Sequence, residues 1–283
     1  MKTYKQVNIT SIPRNYELLS GLLWDLPIEG INETDTSLII YYDASNRISI
    51  EEFKKVLDEA VRNNLIESYE ISESEVENKN WNEEYEKNVR VIEVTDKIVI
   101  KPSFKEYNSR GDQIVITIDP KMSFGTGEHQ TTRLMIEMIE KYVSPGAAAL
   151  DVGTGTGVLA IAAVKLGAER ALGIDNDEWC YLNGNENIVL NNVEERVKII
   201  HGEITDIEDE QFDIVLANIN KNILIEIADE IKKKVKKTGL AILSGLLNAD
   251  ENDIDNRYVN VGFRPVDKKS MGEWLSIVYR SDR

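Results

Sequence analysis

The chain has 283 residues, 42% of them hydrophobic and 29% charged, which is enough apolar material for one large or two ordinary globular domains. A single cysteine, Cys180, rules out an internal disulfide, and two histidines beside it are too few soft ligands for a structural zinc site, so no metal is expected. No run approaches the eighteen or so apolar residues of a membrane span, the first residues lack a signal-type apolar block, and the net charge of -17 repels phosphate backbones; a cytoplasmic protein with a cationic protein partner, rather than free nucleic acid or a membrane, is expected.

Taken in chain order, Tyr4 to Ile9 alternates like a strand, Asn15 to Leu23 has helical spacing after Pro13, and a turn falls at Asp25 to Pro27. Short strands follow near Ile28 to Asn32 and over Ser37 to Tyr42. An amphipathic helix spans Ile50 to Asn63, with Phe53, Val56, Leu57 and Ala60 on one face, and Leu65 to Ile71 returns to strand. The order βαββαβ predicts a small α+β, ferredoxin-like domain over residues 1–72. Residues 73–88, rich in Glu, Asn and Lys, place Trp81 and Tyr85 on one helical face and read as a linker helix.

Val89 to Ile100 and Gln113 to Ile118 alternate, and Asp119-Pro120 closes the second run. Beyond Lys121, helix and strand take turns: helices over Thr132 to Tyr142, Val158 to Leu166, Cys180 to Leu190 and Asn222 to Lys236, and strands over Ala147 to Asp151, Arg170 to Asp175, Val197 to His201, Phe212 to Ala217 and Leu240 to Leu243. Continuous apolar strands between helices predict an α/β, Rossmann-like domain over 89–283, a mostly parallel sheet with helices on both faces. Ligands of such sheets bind at the carboxyl ends of the strands. Lys232, Lys233, Lys234, Lys236 and Lys237 cluster at a helix end and read as a solvated face.

Three strand ends carry chemistry. The turn from Asp151 through Gly153, Gly155 and Gly157 lets the backbone approach a ligand without side-chain obstruction, as in a nucleotide cradle. Gly155-Thr156-Gly157-Val158-Leu159-Ala160 also satisfies a dinucleotide pattern, which keeps a nicotinamide-dependent dehydrogenase open. Asp151 weighs against a diphosphate at short range and suits S-adenosylmethionine, which carries an ammonium and a sulfonium. Asp175, about twenty residues past the loop, can accept from both ribose hydroxyls. Asn218 ends the strand from Phe212 and can orient the surroundings of a transferred methyl or the incoming nucleophile. Asp151 and Asp175 have a structural alternative, capping the next helix.

Glycine loop, ribose acid and strand-end Asn together resemble the class I S-adenosylmethionine-dependent methyltransferases. The run Asp119-Pro120-Lys121-Met122-Ser123-Phe124-Gly125-Thr126-Gly127-Glu128-His129-Gln130-Thr131-Thr132 resembles the signature of the methyltransferases of ribosomal protein L11, the PrmA family. Lys79-Asn80-Trp81, Pro102-Ser103-Phe104, Leu159 to Ala163, Gly173-Ile174-Asp175, Ala217-Asn218-Ile219 and Glu273-Trp274 extend the likeness over nearly the whole chain, weakest over residues 1–70. The resemblance implies a substrate-recognition domain, a linker, and a catalytic domain that methylates lysine side chains and the terminal amine of this large-subunit ribosomal protein, with the enzyme acting as a monomer.

It also implies cofactor contacts at Thr132, Gly153, Asp175 and Asn218, the last also the expected catalytic residue. Phe124, Gly125, Thr126 and Gly127 are expected to cover the cofactor, with Asp151 and Gly155 beside them. His129 has two readings, a general base or a residue that holds its loop by hydrogen bonds. Ile219-Asn220-Lys221 stands where amide- and base-modifying methyltransferases have Pro-Pro and an aromatic, which argues against glutamine or adenine as acceptor. A methyltransferase of another protein or a small molecule, and a non-catalytic cofactor-binding adaptor, are the remaining alternatives.

Overall fold

A computed structural model describes residues 4–43, 48–75, 90–119, 125, 127–208 and 211–282. The chain divides into two compact units, Met1–Asn88 and Val89–Arg283. The first unit runs β1 (Tyr4–Ile12), α1 (Tyr16–Leu23), β2 (Gly30–Glu33), β3 (Leu38–Asp43), α2 (Ile50–Arg62) and β4 (Ser68–Glu75). Its strands form an antiparallel sheet in the order β2-β3-β1-β4. Val7, Ile9, Leu38 and Ile40 of this sheet pack with Leu19 and Leu23 of α1 and with Phe53, Leu57 and Ala60 of α2. Helix α2 starts at Ser49, whose capping box with Glu52 satisfies two of the donors a helix start leaves open. The expected linker helix begins too early, because β4 pairs with β1 as far as Glu75 opposite Lys5. Its remainder, with Trp81 and Tyr85, lies outside the described residues.

The second unit opens with β5 (Ile92–Glu93), β6 (Ile98–Lys101) and β7 (Ile114–Thr117), a three-stranded sheet in that order. The run expected to alternate from Val89 to Ile100 is broken into two strands. Thr95 Oγ1 accepts from the amides of Lys97 and Ile98, which folds the chain back between them.

A seven-stranded sheet follows. Its elements are α3 (Gln130–Tyr142), β8 (Ala148–Val152), α4 (Val158–Lys165), β9 (Arg170–Asp175), α5 (Glu178–Leu190), β10 (Val197–His201), β11 (Phe212–Asn218), α6 (Lys221–Glu226), α7 (Ala228–Lys234), β12 (Val235–Leu247), α8 (Glu251–Asn260), β13 (Phe263–Met271) and β14 (Trp274–Ser281). The strand order is β10-β9-β8-β11-β12-β14-β13, the first five mutually parallel, with β14 antiparallel to both of its neighbours, β12 and β13. One face packs against α3, α4, Ile188 of α5 and the three-stranded sheet, the other against α6, α7 and α8. Every residue of β8 is buried, as expected of a strand covered on both faces.

Further expectations for this unit fail. The single helix expected over Asn222 to Lys236 is two helices that meet at Ile227, and β12 starts at Val235 rather than Leu240. Of the five lysines at this corner, Lys233 and Lys237 are exposed as expected of a solvated face, and the other three are not. The Lys232 ammonium donates to Gly262 O and Ser281 Oγ and lies 4.7 Å from the centre of the Phe263 ring. Lys234 is buried and donates to the carbonyls of Ile207 and Glu208, and Lys236 pairs with Asp213 at 2.9 Å. The ammonium groups of Lys232 and Lys234 satisfy backbone carbonyls and that of Lys236 a carboxylate, so these three tie segments together.

Candidate functional site

Strand register brings the expected residues to one edge of the large sheet. Val152 lies opposite Ile174 on β9 and Ala217 on β11, His201 opposite Asp175, and Asn218 opposite Ser244. Gly153, Asp175 and Asn218 therefore stand in one transverse row at the carboxyl ends of β8, β9 and β11, where an α/β sheet binds its ligand.

The glycine turn begins with Gly153 at φ +70°, where an added Cβ would sit 2.4 Å from Ile219 Cγ2. Only glycine allows the first turn and the Asn218-Ile219 segment to approach this closely. The amides of Gly153 and Thr154 both donate to Ile174 O, which locks the turn onto β9. Gly155 and Gly157 also take positive φ, and Gly157 starts α4 in the left-handed region.

Asp151 is fully buried. Its Oδ2 accepts from Thr154 Oγ1 at 2.7 Å and from the amide of Ala160 at 3.2 Å, so this oxygen caps the first turn of α4. The capping alternative accounts for one oxygen only, because Oδ1 has no hydrogen-bond partner among the described residues. Desolvation pushes the carboxyl up to about 7, against the lowering effect of its two donors. For Asp175 the capping alternative fails: the cap of α5 is Asp177, whose Oδ1 accepts from Trp179 N at 2.7 Å. Asp175 instead accepts from Gly155 N on Oδ2, 2.8 Å, and from Asp177 N on Oδ1, 3.1 Å. Each oxygen keeps a second lone pair for a ligand donor. Burial raises its pKa, and the two amide donors oppose that shift.

Asn218 Oδ1 and Thr132 Oγ1 are likewise buried and without a partner among the described residues. Thr132 stands in the first turn of α3, whose cap is His129: the ring Nδ1 accepts from Thr131 N at 3.3 Å and lies 2.7 Å from Thr131 Oγ1. The His129 ring also meets Trp274 edge-on, with centroids 4.7 Å apart, and burial drives its pKa down to about 4. An imidazole so situated is neutral, has Nδ1 occupied, and is a weak base. Gly125 and Gly127 take positive φ and lie buried against Thr156 and Ile100 respectively. Phe124 and Thr126 lie outside the described residues.

Two structural supports outside the ligand-facing residues carry no motif in the sequence. Asn183, Asn187 and Asn191, spaced four apart on α5 and its cap, grip the backbone from Thr117 to Asp119. Thr117 exchanges two bonds with Asn191, Asp119 N donates to Asn187 Oδ1 at 2.9 Å, and Asn183 Nδ2 donates to Asp119 O at 2.7 Å. Their spacing was the available signal. Thr156 is the second: its side chain and its backbone carbonyl contact two different segments, and no spacing rule announces that.

Unpartnered buried oxygens on Asp151 and Asn218, beside a turn that excludes side chains, and on Thr132 fit a ligand rich in donors and positive charge. With a glycine turn after the central strand of a parallel sheet and an antiparallel hairpin closing the far edge, the second unit has the class I methyltransferase fold. The chain belongs to the ribosomal protein L11 methyltransferase (PrmA) family, which matches residues 20–282. It is 34% identical to a ribosomal protein L11 methyltransferase of Caldicellulosiruptor saccharolyticus, over 97% of this chain and 98% of that protein. Identity to the corresponding protein of Acetivibrio thermocellus is 37%, over 73% of this chain and 66% of that one. A solved ribosomal protein L11 methylase from Lactobacillus delbrueckii superimposes with a TM-score of 0.64 at 29% identity, covering 68% of this chain and 99% of that one.

Proposed function

We propose that the chain is a cytoplasmic protein methyltransferase that uses S-adenosylmethionine to methylate lysine and terminal amines of ribosomal protein L11. The observation that carries this reading is the set of three buried oxygens without partners among the described residues, Thr132 Oγ1, Asp151 Oδ1 and Asn218 Oδ1, the last two at the carboxyl ends of neighbouring strands beside the glycine turn. Family membership supplies the substrate. When bound, S-adenosylmethionine supplies an electrophilic methyl group on a sulfonium. Asp151 Oδ1 is the acceptor for an ammonium, and ionising that carboxyl against its burial is what the ammonium's charge promotes. Asp175 offers its two remaining lone pairs to ribose hydroxyls, while Gly155 N and Asp177 N hold the carboxylate still.

Asn218 Oδ1 accepts an N–H of the incoming amine and so aims its lone pair, a positioning role that needs no proton transfer by the protein. His129 is a helix cap and not the base; the amine gives up its proton to solvent before attack, helped by desolvation in the crevice. The N-terminal unit, read as ferredoxin-like, recognises the protein substrate, and the acidic surface favours a basic one. Incubation of the purified enzyme with methyl-labelled cofactor and a ribosomal extract tests the reading. Label on L11 is expected; label confined to small molecules or to another protein contradicts the substrate.

A further inference from the structure

Thr156 joins three segments. Its hydroxyl donates to Gly125 O at 2.8 Å, and its carbonyl accepts from Asn187 Nδ2 at 2.9 Å; Thr156 and Asn187 are both fully buried. Asn187 uses its other end, Oδ1, to accept from Asp119 N. Asp119, which opens the signature run, and Gly125 within it are thus both fastened to one residue of the glycine turn, directly at Gly125 and through Asn187 at Asp119.

The fastening bears on the crevice. From Gly125 the chain passes Gly127, packed on Ile100, and His129, the cap of α3, to Thr132, whose unpartnered hydroxyl is part of the candidate site. Gly153 lies three residues before Thr156 on the other side. The Thr156–Gly125 bond therefore joins the segment that leads to Thr132 to the turn that carries Gly153. An extra Cβ on Gly125 would stand 2.7 Å from Thr156 Oγ1, so the contact is close on both sides.

We propose that Thr156 is a positioning residue for the cofactor: its two bonds set the width of the crevice between the glycine turn and the signature run. Thr156 touches no reacting atom in this account, and the inference rests on the methyltransferase reading above. Its hydroxyl is the part that can be removed without changing shape, because valine is nearly isosteric with threonine.

The test compares Thr156→Val, Thr156→Ser and Asn191→Ala with the wild type, by titration with S-adenosylhomocysteine well below each melting temperature. Loss of one buried hydrogen bond that shapes the site corresponds to about a tenfold rise in Kd for Thr156→Val. A matching rise in KM for the cofactor is expected with kcat within about twofold, and Thr156→Ser is expected to bind within about twofold of wild type. Asn191 grips Thr117 and Asn187 O, and none of its side-chain bonds reaches the glycine turn. Asn191→Ala therefore lowers the melting temperature and leaves Kd unchanged. Wild-type affinity in Thr156→Val, or an equal loss in Asn191→Ala, overturns the inference. If Thr156→Val does not fold, Asn187→Ala, which releases the Asp119 end, carries the same expectation. A wild-type protein that binds no S-adenosylhomocysteine overturns the underlying reading instead.

Discussion

In the N-terminal sheet, Val7 and Ile9 of β1 are buried against two helices while Gln6, Asn8 and Thr10, which alternate with them, stay half exposed; in the large sheet all five residues of β8, Asp151 included, are buried. A strand with one open face can carry polar side chains there at little cost, since water satisfies them. A strand covered on both faces loses that freedom, and each buried polar atom without a partner costs roughly 1–3 kcal/mol. Exposed polar residues on β1 therefore say little about function. The unpartnered oxygens of Asp151 and Asn218 say more than the like atom of Asn8 on β1, because they stand together at the carboxyl ends of neighbouring strands, where a sheet of this kind binds its ligand.

Substitutions at the strand ends should weaken ligand binding, and the largest effect is expected at Asp175. Asp175→Ala removes the acceptor for two hydroxyl donors and frees two backbone amides. Affinity for S-adenosylhomocysteine should fall by about a hundredfold or more, on the scale of two charge-assisted bonds, read by calorimetry. Gly153→Ala follows: a left-handed backbone with its Cβ 2.4 Å from Ile219 should cost on the order of 1–2 kcal/mol of stability and about tenfold in affinity, seen as a lower melting temperature and a higher Kd.

Asp151 sharpens the comparison through pH. Its folded-state pKa, about 7, lies above its ordinary value of 3.8, so its contribution to stability is full below pH 4 and is lost as pH rises through 7. Asp151→Asn cannot ionise and should melt higher than wild type at pH 8 by several degrees, with the difference shrinking toward pH 4. Wild-type affinity for an ammonium-bearing ligand should rise between pH 6 and pH 8, and the Asn variant should bind weakly at both. A flat wild-type profile would place the ammonium elsewhere. The smallest effect belongs to the open face of the N-terminal sheet: Ser72→Ala should change stability by no more than about 0.5 kcal/mol and leave cofactor binding untouched.

Much of this was readable from the chain because the large sheet is built from apolar runs that stop at polar residues. Arg170–Asp175 and Val197–His201 take the expected bounds, and the site residues stand at or just past their strand ends. The failures have physical causes. No glycine or proline marks the break at Ile227, and lysines that reach carbonyls resemble lysines that reach water until the fold is known. In β13 the burial is irregular, with few residues of Phe263–Met271 inside, so periodicity does not single out that edge strand. His129 illustrates the limit most clearly: a histidine in a signature loop suggests a base, and only burial and an occupied Nδ1 show a cap. Thr156 was illegible because its role depends on three segments far apart in the chain meeting at one hydroxyl and one carbonyl.

The strand-end oxygens are read as serving a sulfonium-type nucleoside cofactor and no dinucleotide. Calorimetric titration of the wild-type protein at pH 8, first with S-adenosylhomocysteine and then with NAD, separates the two. A single site for S-adenosylhomocysteine in the micromolar range or tighter, lost in Asp175→Ala, is expected, with no heat from NAD. Absence of S-adenosylhomocysteine binding, or saturable NAD binding at the same residues, would contradict this reading.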